Sequence, residues 1–201
     1  MEKLEKLFEF YRVIEKLKDV KRFSTQPQFS ETTAEHSWKT IMMTYSTAKE
    51  LDLDMDILHA VKIAMVHDLP ELLVGDTDNL LVYDGKISVI DKETEEESAM
   101  KNISKLVSNE LGNELFDLWK EYQMNETREA KFVKAMDKLE AISHILYSEE
   151  KNARLDHTVQ YADKAILNFP ELKPFYSIFK RKLKKRFEKQ GMEWKEEYEL
   201  I

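Results

Sequence analysis

Residues 57–76 read ILHAVKIAMVHDLPELLVGD, and this stretch decides both the fold class and the chemistry that the chain can support. Its first ten residues are mostly apolar and predict a helix that runs into the protein interior. That helix delivers His67 and Asp68, which place a nitrogen donor beside an oxygen donor. Neighbouring side chains on a helix diverge by about 100°, so they rarely share one small partner. A metal ion between helices is such a partner.

The composition predicts an all-α fold in a single domain over residues 1–201. A chain of 201 residues, of which 42% are hydrophobic, suits one compact domain with a substantial core. The chain contains only 4 Gly and 4 Pro. This scarcity of turn-forming residues argues against an all-β fold and favours long helices.

Charge and the absence of cysteine limit the function. A net charge of −8 repels nucleic-acid backbones on average, so no nucleic-acid polymer is expected as a partner. Without cysteine, a disulfide scaffold, a thiolate metal site and a cysteine nucleophile are excluded. The charged N-terminus is unlike a signal peptide, and no run approaches the ~20 apolar residues of a membrane span. We therefore expect a cytoplasmic protein with no membrane association.

Apolar periodicity predicts helices on both sides of the opening stretch. A helix over about residues 4–19 precedes a loop, and Thr32 or Thr33 can cap the second helix. The third helix begins near Asp54 or Asp56, restarts at Pro70 and ends at Gly75. Residues 77–86 look irregular and could cover a cleft. Further helices are predicted over residues 87–111, 113–124, 127–151, 158–169 and 174–189.

Two residues far from the His-Asp pair complete a candidate metal site. His36 lies in the apolar stripe of the second helix with Trp38, Ile41 and Tyr45, and Asp137 lies on the buried side of a later helix. A lone buried carboxylate is costly unless it is paired or binds a metal. The four donors would supply two nitrogens and two oxygens from three helices, a set that suits Mn, Co, Fe or Mg.

Two acidic residues follow the His-Asp pair. Glu71 comes four residues after His67 and three after Asp68, so on a helix it would share their face. It is then placed to orient or deprotonate a water bound at an open position of the metal. The metal lowers the pKa of that water. Asp76, directly after Gly75, would add a polar group at the mouth of the site.

Each of these residues alone has a plainer interpretation. A single buried histidine such as His36 or His67 more often bonds a backbone carbonyl than a metal. Glu71 could be a solvated helix residue, and Asp76 could simply follow a helix end. The joint occurrence of both histidines with the two aspartates favours the metal site.

The series His36, His67-Asp68 and Asp137 resembles the signature of the HD-domain metal-dependent phosphohydrolases. The surrounding strings resemble one branch closely, the YfbR-like 5′-deoxynucleotidases. These strings are AEHSW at 34–38, HDLPE at 67–71, GD at 75–76, ESA at 97–99, LWKEY at 118–122 and EAK at 129–131.

The resemblance implies a helical bundle with a metal site between its central helices. It implies that Glu71 activates water and that Asp76 assists near the scissile phosphate. Arg22, which lies 14 residues before His36, would contact the substrate phosphate, and Phe23 stands where the family often has tryptophan. One divalent metal ion would be held by His36, His67, Asp68 and Asp137.

The resemblance also implies a substrate and an assembly. The expected reaction converts a (deoxy)nucleoside 5′-monophosphate to a nucleoside and phosphate, and a homodimer is expected. Two alternatives stay open at this point. The chain could hydrolyse another phosphorylated substrate, such as a nucleoside triphosphate, or it could be a non-catalytic, metal-stabilised helical binding module.

Overall fold

The structure, a computed structural model, describes residues 1–148, 156–199 and 201. These residues contain ten α-helices and no β-strand, which confirms the all-α prediction. None of the described helices is long and apolar enough to cross a membrane. The helices are α1 (Glu2–Ile14), α2 (Thr33–Glu50), α3 (Ile57–Val66), α4 (Glu71–Val74), α5 (Asn79–Tyr83), α6 (Val89–Ser104), α7 (Asn109–Met124), α8 (Arg128–Tyr147), α9 (Asp156–Asn168) and α10 (Lys173–Lys189).

Helix α8 is the centre of the bundle, because α2, α3, α7, α9 and α10 all pack against it. Thr127 caps its start by accepting a hydrogen bond from the backbone N–H of Ala130. Its buried side is mostly apolar and includes Phe132 and Met136. Asp137 and Glu140 are buried on the same helix. The core therefore contains two carboxylates that require partners.

Helix α2 buries a different face from the one that its apolar residues predict. Trp38 and Tyr45 are 66% and 49% exposed, so the prediction that they share the buried stripe with His36 is wrong, whereas Ile41 is partly buried and packs against the core. Met42, on the same helix, is 46% exposed. Small side chains let helices approach closely, whereas large rings would hold them apart. The buried residues of α2 are Thr33, His36, Thr40, Thr44, Thr47 and Ala48.

The start of α2 is fixed by a capping box one turn before His36. The Thr32 side chain accepts a hydrogen bond from the Glu35 backbone N–H, and the Glu35 carboxylate accepts one from the Thr32 backbone N–H. The His36 backbone N–H then bonds to the Thr32 carbonyl. This confirms Thr32 as the cap and sets the direction in which the His36 ring points.

The opening stretch folds as a helix, a tight turn and a second short helix. Helix α3 begins after its cap Asp56 and ends at Val66, so His67 and Asp68 lie in the turn that follows. The chain restarts as α4 directly after Pro70, and Gly75, with φ of 77°, ends it. The predicted restart and end of the helix are confirmed.

Three details of the predicted helices differ from the structure. The helix predicted over residues 87–111 ends at Ser104, because Ser108 caps a new helix by accepting the Leu111 backbone N–H. The segment 77–86 contains α5, which Asp78 caps. The first α-helix ends at Ile14 and continues only as a 3₁₀ turn to Lys18. The predicted end of α8 near residue 151 lies outside the described residues.

Candidate metal centre

The four predicted donors meet between α2, α8 and the turn after α3. His36 Nε2 lies 3.2 Å from Asp137 Oδ1, 3.4 Å from Asp68 Oδ2 and 3.3 Å from His67 Nε2. His67 Nε2 lies 3.2 Å from Asp68 Oδ2. The donor atoms of His36, His67 and Asp68 all lie within 4.8 Å of one another. The structure thus brings together residues that span a hundred positions of sequence.

The spacing of these atoms suits a divalent cation. Donors about 2.1 Å from a metal in octahedral geometry lie roughly 3 Å apart, close to the measured separations. Both histidines direct Nε2 to the centre, because their Nδ1 atoms bond elsewhere, that of His67 to the Ala64 carbonyl at 2.8 Å. His36, His67 and Asp137 are buried, while Asp68 is partly exposed. The centre is therefore open on the side of Asp68.

The electrostatics of the centre favour positive charge. Burial and Arg22 act to lower the pKa of His36, but the carboxylates of Asp137 and Glu140 outweigh them and raise it to about 10. Burial acts to raise the pKa of Asp68, yet the neighbouring histidines and Arg22 hold it below its ordinary value. An ionised carboxylate pair around buried imidazoles is an environment in which a cation is stabilised.

Arg22 reaches this centre from the segment before α2. Its Nη1 donates to Asp68 Oδ2 at 3.1 Å and lies 3.8 Å from Asp76 Oδ1. Its Nε lies 3.4 Å from Glu31 Oε1, and its backbone N–H bonds to the Glu31 carbonyl. The guanidinium is buried, and the next residue, Phe23, stacks on the His144 ring at 5.5 Å. The structure therefore places Arg22 beside the donors, whereas Phe23 packs on His144.

Glu71 and Asp76 also lie at the centre. Glu71 is buried, and its Oε2 accepts a hydrogen bond from the Thr33 hydroxyl at 2.7 Å. Burial, followed by repulsion from Asp68 and Asp76, raises the pKa of Glu71 well above its ordinary value. Burial likewise raises the pKa of Asp76, against the attraction of Arg22. A carboxyl group with a raised pKa is suited to proton transfer near neutral pH.

A cavity of about 290 Å³ opens onto these residues. A second, smaller cavity of about 40 Å³ shares Arg22, Asp76 and Tyr161 with it and is also lined by Phe23. The segment after Gly75, which was predicted to cover a cleft, contributes to both. The wall of the larger cavity contains Arg22, His67, Asp68, Glu71, Asp76, Asp137 and the lysines Lys92, Lys134, Lys138 and Lys164.

The family model described as HD domain matches residues 14–173. The chain belongs to the HD-domain family. The 5′-deoxynucleotidase HDDC2 of Dictyostelium discoideum is 32% identical over 160 residues, which cover 76% of this chain and 82% of that protein. The human 5′-deoxynucleotidase HDDC2 is 31% identical over 171 residues, which cover 83% of this chain and 80% of that protein.

The same fold occurs in a solved structure. The crystal structure of a predicted metal-dependent phosphohydrolase from Magnetospirillum magnetotacticum MS-1 superposes with a TM-score of 0.75 at 24% identity. The match covers 96% of this chain and 99% of that one. The predicted family and the predicted HD-type fold are thus confirmed.

In this HD domain, sequence reasoning missed several residues that support the donors. Glu140 lies three residues after Asp137 and so faces the same side of α8, a spacing that could have identified it. Tyr122 donates its hydroxyl to Asp137 Oδ2 at 2.7 Å. Thr33, considered only as a helix cap, bonds Glu71. The last two contacts join distant elements, and no local pattern signals them.

Glu140 fixes the orientation of the His36 ring. His36 Nδ1 donates to Glu140 Oε2 at 2.5 Å, and Lys39 Nζ lies 2.8 Å from the other carboxylate oxygen. Burial acts to raise the pKa of Glu140, but hydrogen bonds from His36 and Lys39 lower it to about 2. The ionised carboxylate therefore holds the proton on Nδ1, so Nε2 is the ring nitrogen that a cation can bind.

We predict that Glu140→Ala weakens binding of Mn²⁺ by about 10- to 100-fold, since outer partners of metal-binding histidines contribute that much affinity. Isothermal titration calorimetry on metal-free protein measures the effect. Glu95→Ala, an exposed acidic residue of α6, is the matched control and should leave the affinity unchanged. Equal affinities for the wild type and Glu140→Ala would contradict the role of Glu140.

Proposed function

We propose that this protein is a divalent-metal-dependent phosphohydrolase that converts deoxynucleoside 5′-monophosphates to nucleosides and phosphate. The observation that carries the proposal is the meeting of two histidine nitrogens and two aspartate oxygens beside a buried arginine in an open cavity. Membership of the HD-domain family supports the reaction class. Relatives named 5′-deoxynucleotidase, matched over most of their length, support the substrate class.

We assign the metal ligands to His36, His67, Asp68 and Asp137. When bound, a divalent ion at this position acts as a Lewis acid and lowers the pKa of water. Imidazole and carboxylate donors without thiolate are compatible with Mn, Co, Fe or Mg. The structure supports one such centre by the mutual distances of these donors.

The other residues act on the phosphate and on the attacking water. Arg22 binds phosphate oxygens through its guanidinium, whose paired N–H groups match such an anion. Glu71 accepts the proton of the water, and the Thr33 hydroxyl holds one of its oxygens. Asp76, 3.8 Å from Arg22, orients the guanidinium next to the scissile phosphate.

A hydrolysis panel tests this function. Wild-type protein should release phosphate from deoxynucleoside 5′-monophosphates with Mn²⁺, Co²⁺, Fe²⁺ or Mg²⁺, and EDTA should abolish the release. Asp68→Asn should lower kcat/KM by at least about 1,000-fold, because Lewis-acid stabilisation contributes several kcal/mol. Asp117→Asn, an exposed site on α7, is the control.

The products of this panel separate the alternatives. Release of triphosphate from nucleoside triphosphates would replace the monophosphatase proposal with cleavage at the α-phosphate. No product from any nucleotide with any of the four metals would indicate a non-catalytic binding module. Full activity of Asp68→Asn would refute the assigned metal centre.

The Thr33 hydrogen bond gives a prediction about pH. Glu71 works as a base only when ionised, so activity is present above its pKa and is lost as the pH falls through it. The bond from Thr33 lowers that pKa. Thr33→Val should therefore shift the acid limb of the kcat/KM profile to higher pH, with little change in the plateau.

Thr40→Val is the matched control for this pH profile. Thr40 is also fully buried on α2, but its hydroxyl has no hydrogen-bond partner among the described residues. Its replacement should leave the acid limb in place. An unshifted limb in Thr33→Val would show that Glu71 does not set it.

A homodimer is part of this proposal. The stripe of Trp38, Met42 and Tyr45 is a large exposed apolar surface on α2, and such surfaces commonly mark protein contacts. We expect multi-angle light scattering to give about twice the chain mass of 23.9 kDa, and Tyr45→Glu to favour the monomer. A wild-type mass of one chain at all concentrations would contradict the dimer. A single domain over residues 1–201 and a cytoplasmic location stay predictions.

A further inference from the structure

Lys134 is a cation in the wall of the metal cavity, and it has no carboxylate partner in the part of the chain that the structure describes. It lies one turn before Asp137 on α8, and its side chain is partly buried. Its Nζ lies 3.8 Å from the centroid of the Tyr122 ring. Within residues 1–148, 156–199 and 201 it makes no hydrogen bond and no ion pair.

Three other cations that line this cavity are already paired with carboxylates. Arg22 Nη1 donates to Asp68, and Lys138 Nζ donates to Asp137 Oδ2 at 2.8 Å. Lys92 Nζ lies 3.4 Å from Glu96 Oε1. Among the described residues of this wall, Lys134 and the exposed Lys164 have no carboxylate partner, and Lys134 is the one of the two that is partly buried.

Tyr122 holds the Lys134 ammonium close to the metal donors. The Tyr122 ring packs edge-on against the His67 ring at 5.3 Å, and its hydroxyl donates to Asp137. The ammonium rests on the same ring. An ammonium over an aromatic face is attracted to it but keeps its N–H donors free for an anion.

Without a bound anion, the surroundings of Lys134 disfavour the charged form of its side chain. Burial, followed by repulsion from Lys138, lowers the pKa of Lys134 to about 8. Asp137 and Glu96 act in the opposite direction, and Lys92 adds further repulsion. A buried cation with this balance gains stability when an anion binds next to it.

A phosphate dianion in this cavity needs more positive charge than Arg22 supplies. The wall is rich in carboxylates, and Arg22 already faces Asp68 and Asp76. Lysine is a compact point charge whose three donors suit a phosphate oxygen. We propose that the Lys134 ammonium binds the phosphoryl group of the nucleotide substrate, an inference that rests on the proposed function.

Steady-state kinetics provides the first test. Lys134→Met removes the charge but keeps the length of the side chain, and it should lower kcat/KM for a deoxynucleoside 5′-monophosphate by about 10- to 100-fold. Lys134→Arg should restore much of the loss, because the charge returns. Lys131→Met, one turn earlier on α8 and outside the cavity wall, is the control. Unchanged kinetics in Lys134→Met would overturn the proposal.

A binding measurement separates this inference from the proposed function. In Mg²⁺-loaded wild-type protein labelled with ¹³C at lysine Cε, inorganic phosphate should raise the pKa of Lys134, whose signal Lys134→Met identifies. A structural role alone would not produce that shift. Shifted titration without any nucleotide hydrolysis would refute the nucleotidase and retain the phosphate contact. Nucleotide hydrolysis with an unchanged Lys134 pKa would retain the nucleotidase and refute the phosphate contact.

Discussion

The structure depends on one buried imidazole held between carboxylates of a neighbouring helix. His36, fully buried on α2, donates to Glu140 through Nδ1 and faces Asp137 through Nε2, so both contacts are made to α8. Polar groups in a core are tolerated only when their hydrogen bonds are satisfied. The contact between α2 and α8 therefore fixes the helix register and the donor geometry together, and the small threonines of α2 allow the close approach.

The same arrangement explains why acidic residues can accumulate at the centre. Asp68, Glu71, Asp76 and Asp137 lie around a single cavity, where mutual repulsion and burial would destabilise them if all were ionised and unpaired. Arg22 and the two histidines offset part of that charge. The remaining negative charge is distributed unevenly over the carboxyl groups, since the pKa of Glu71 is raised while those of Asp68 and Asp137 are lowered. Neighbouring carboxyl groups thus differ in charge, because Asp68 and Asp137 favour the ionised form and Glu71 favours the protonated form.

The helices and the four donors could be predicted from sequence because both leave local signals. Apolar periodicity marks the helices, and the spacing of His36, the His-Asp pair and Asp137 marks the centre. The buried face of α2 could not be predicted, because its strongest apolar stripe lies on the surface and its buried side is mostly threonine. The break between α6 and α7 lies before Ser108 and not near residue 112 as predicted, because apolar residues continue at helical spacing through Leu106 and Leu111. The contacts of Tyr122 with Lys134 and Asp137 arise only when α7 packs against α8.

Asp68 Oδ2 is shared by two different kinds of neighbour. It lies 3.1 Å from Arg22 Nη1 and 3.2 Å from His67 Nε2. One oxygen cannot neutralise a guanidinium fully while it also donates electron density to a cation. A cation on the proposed donors would therefore increase the charge that Arg22 presents to an anion. The affinities for the cation and for the anion would then be linked, and by reciprocity each would strengthen the other by the same factor.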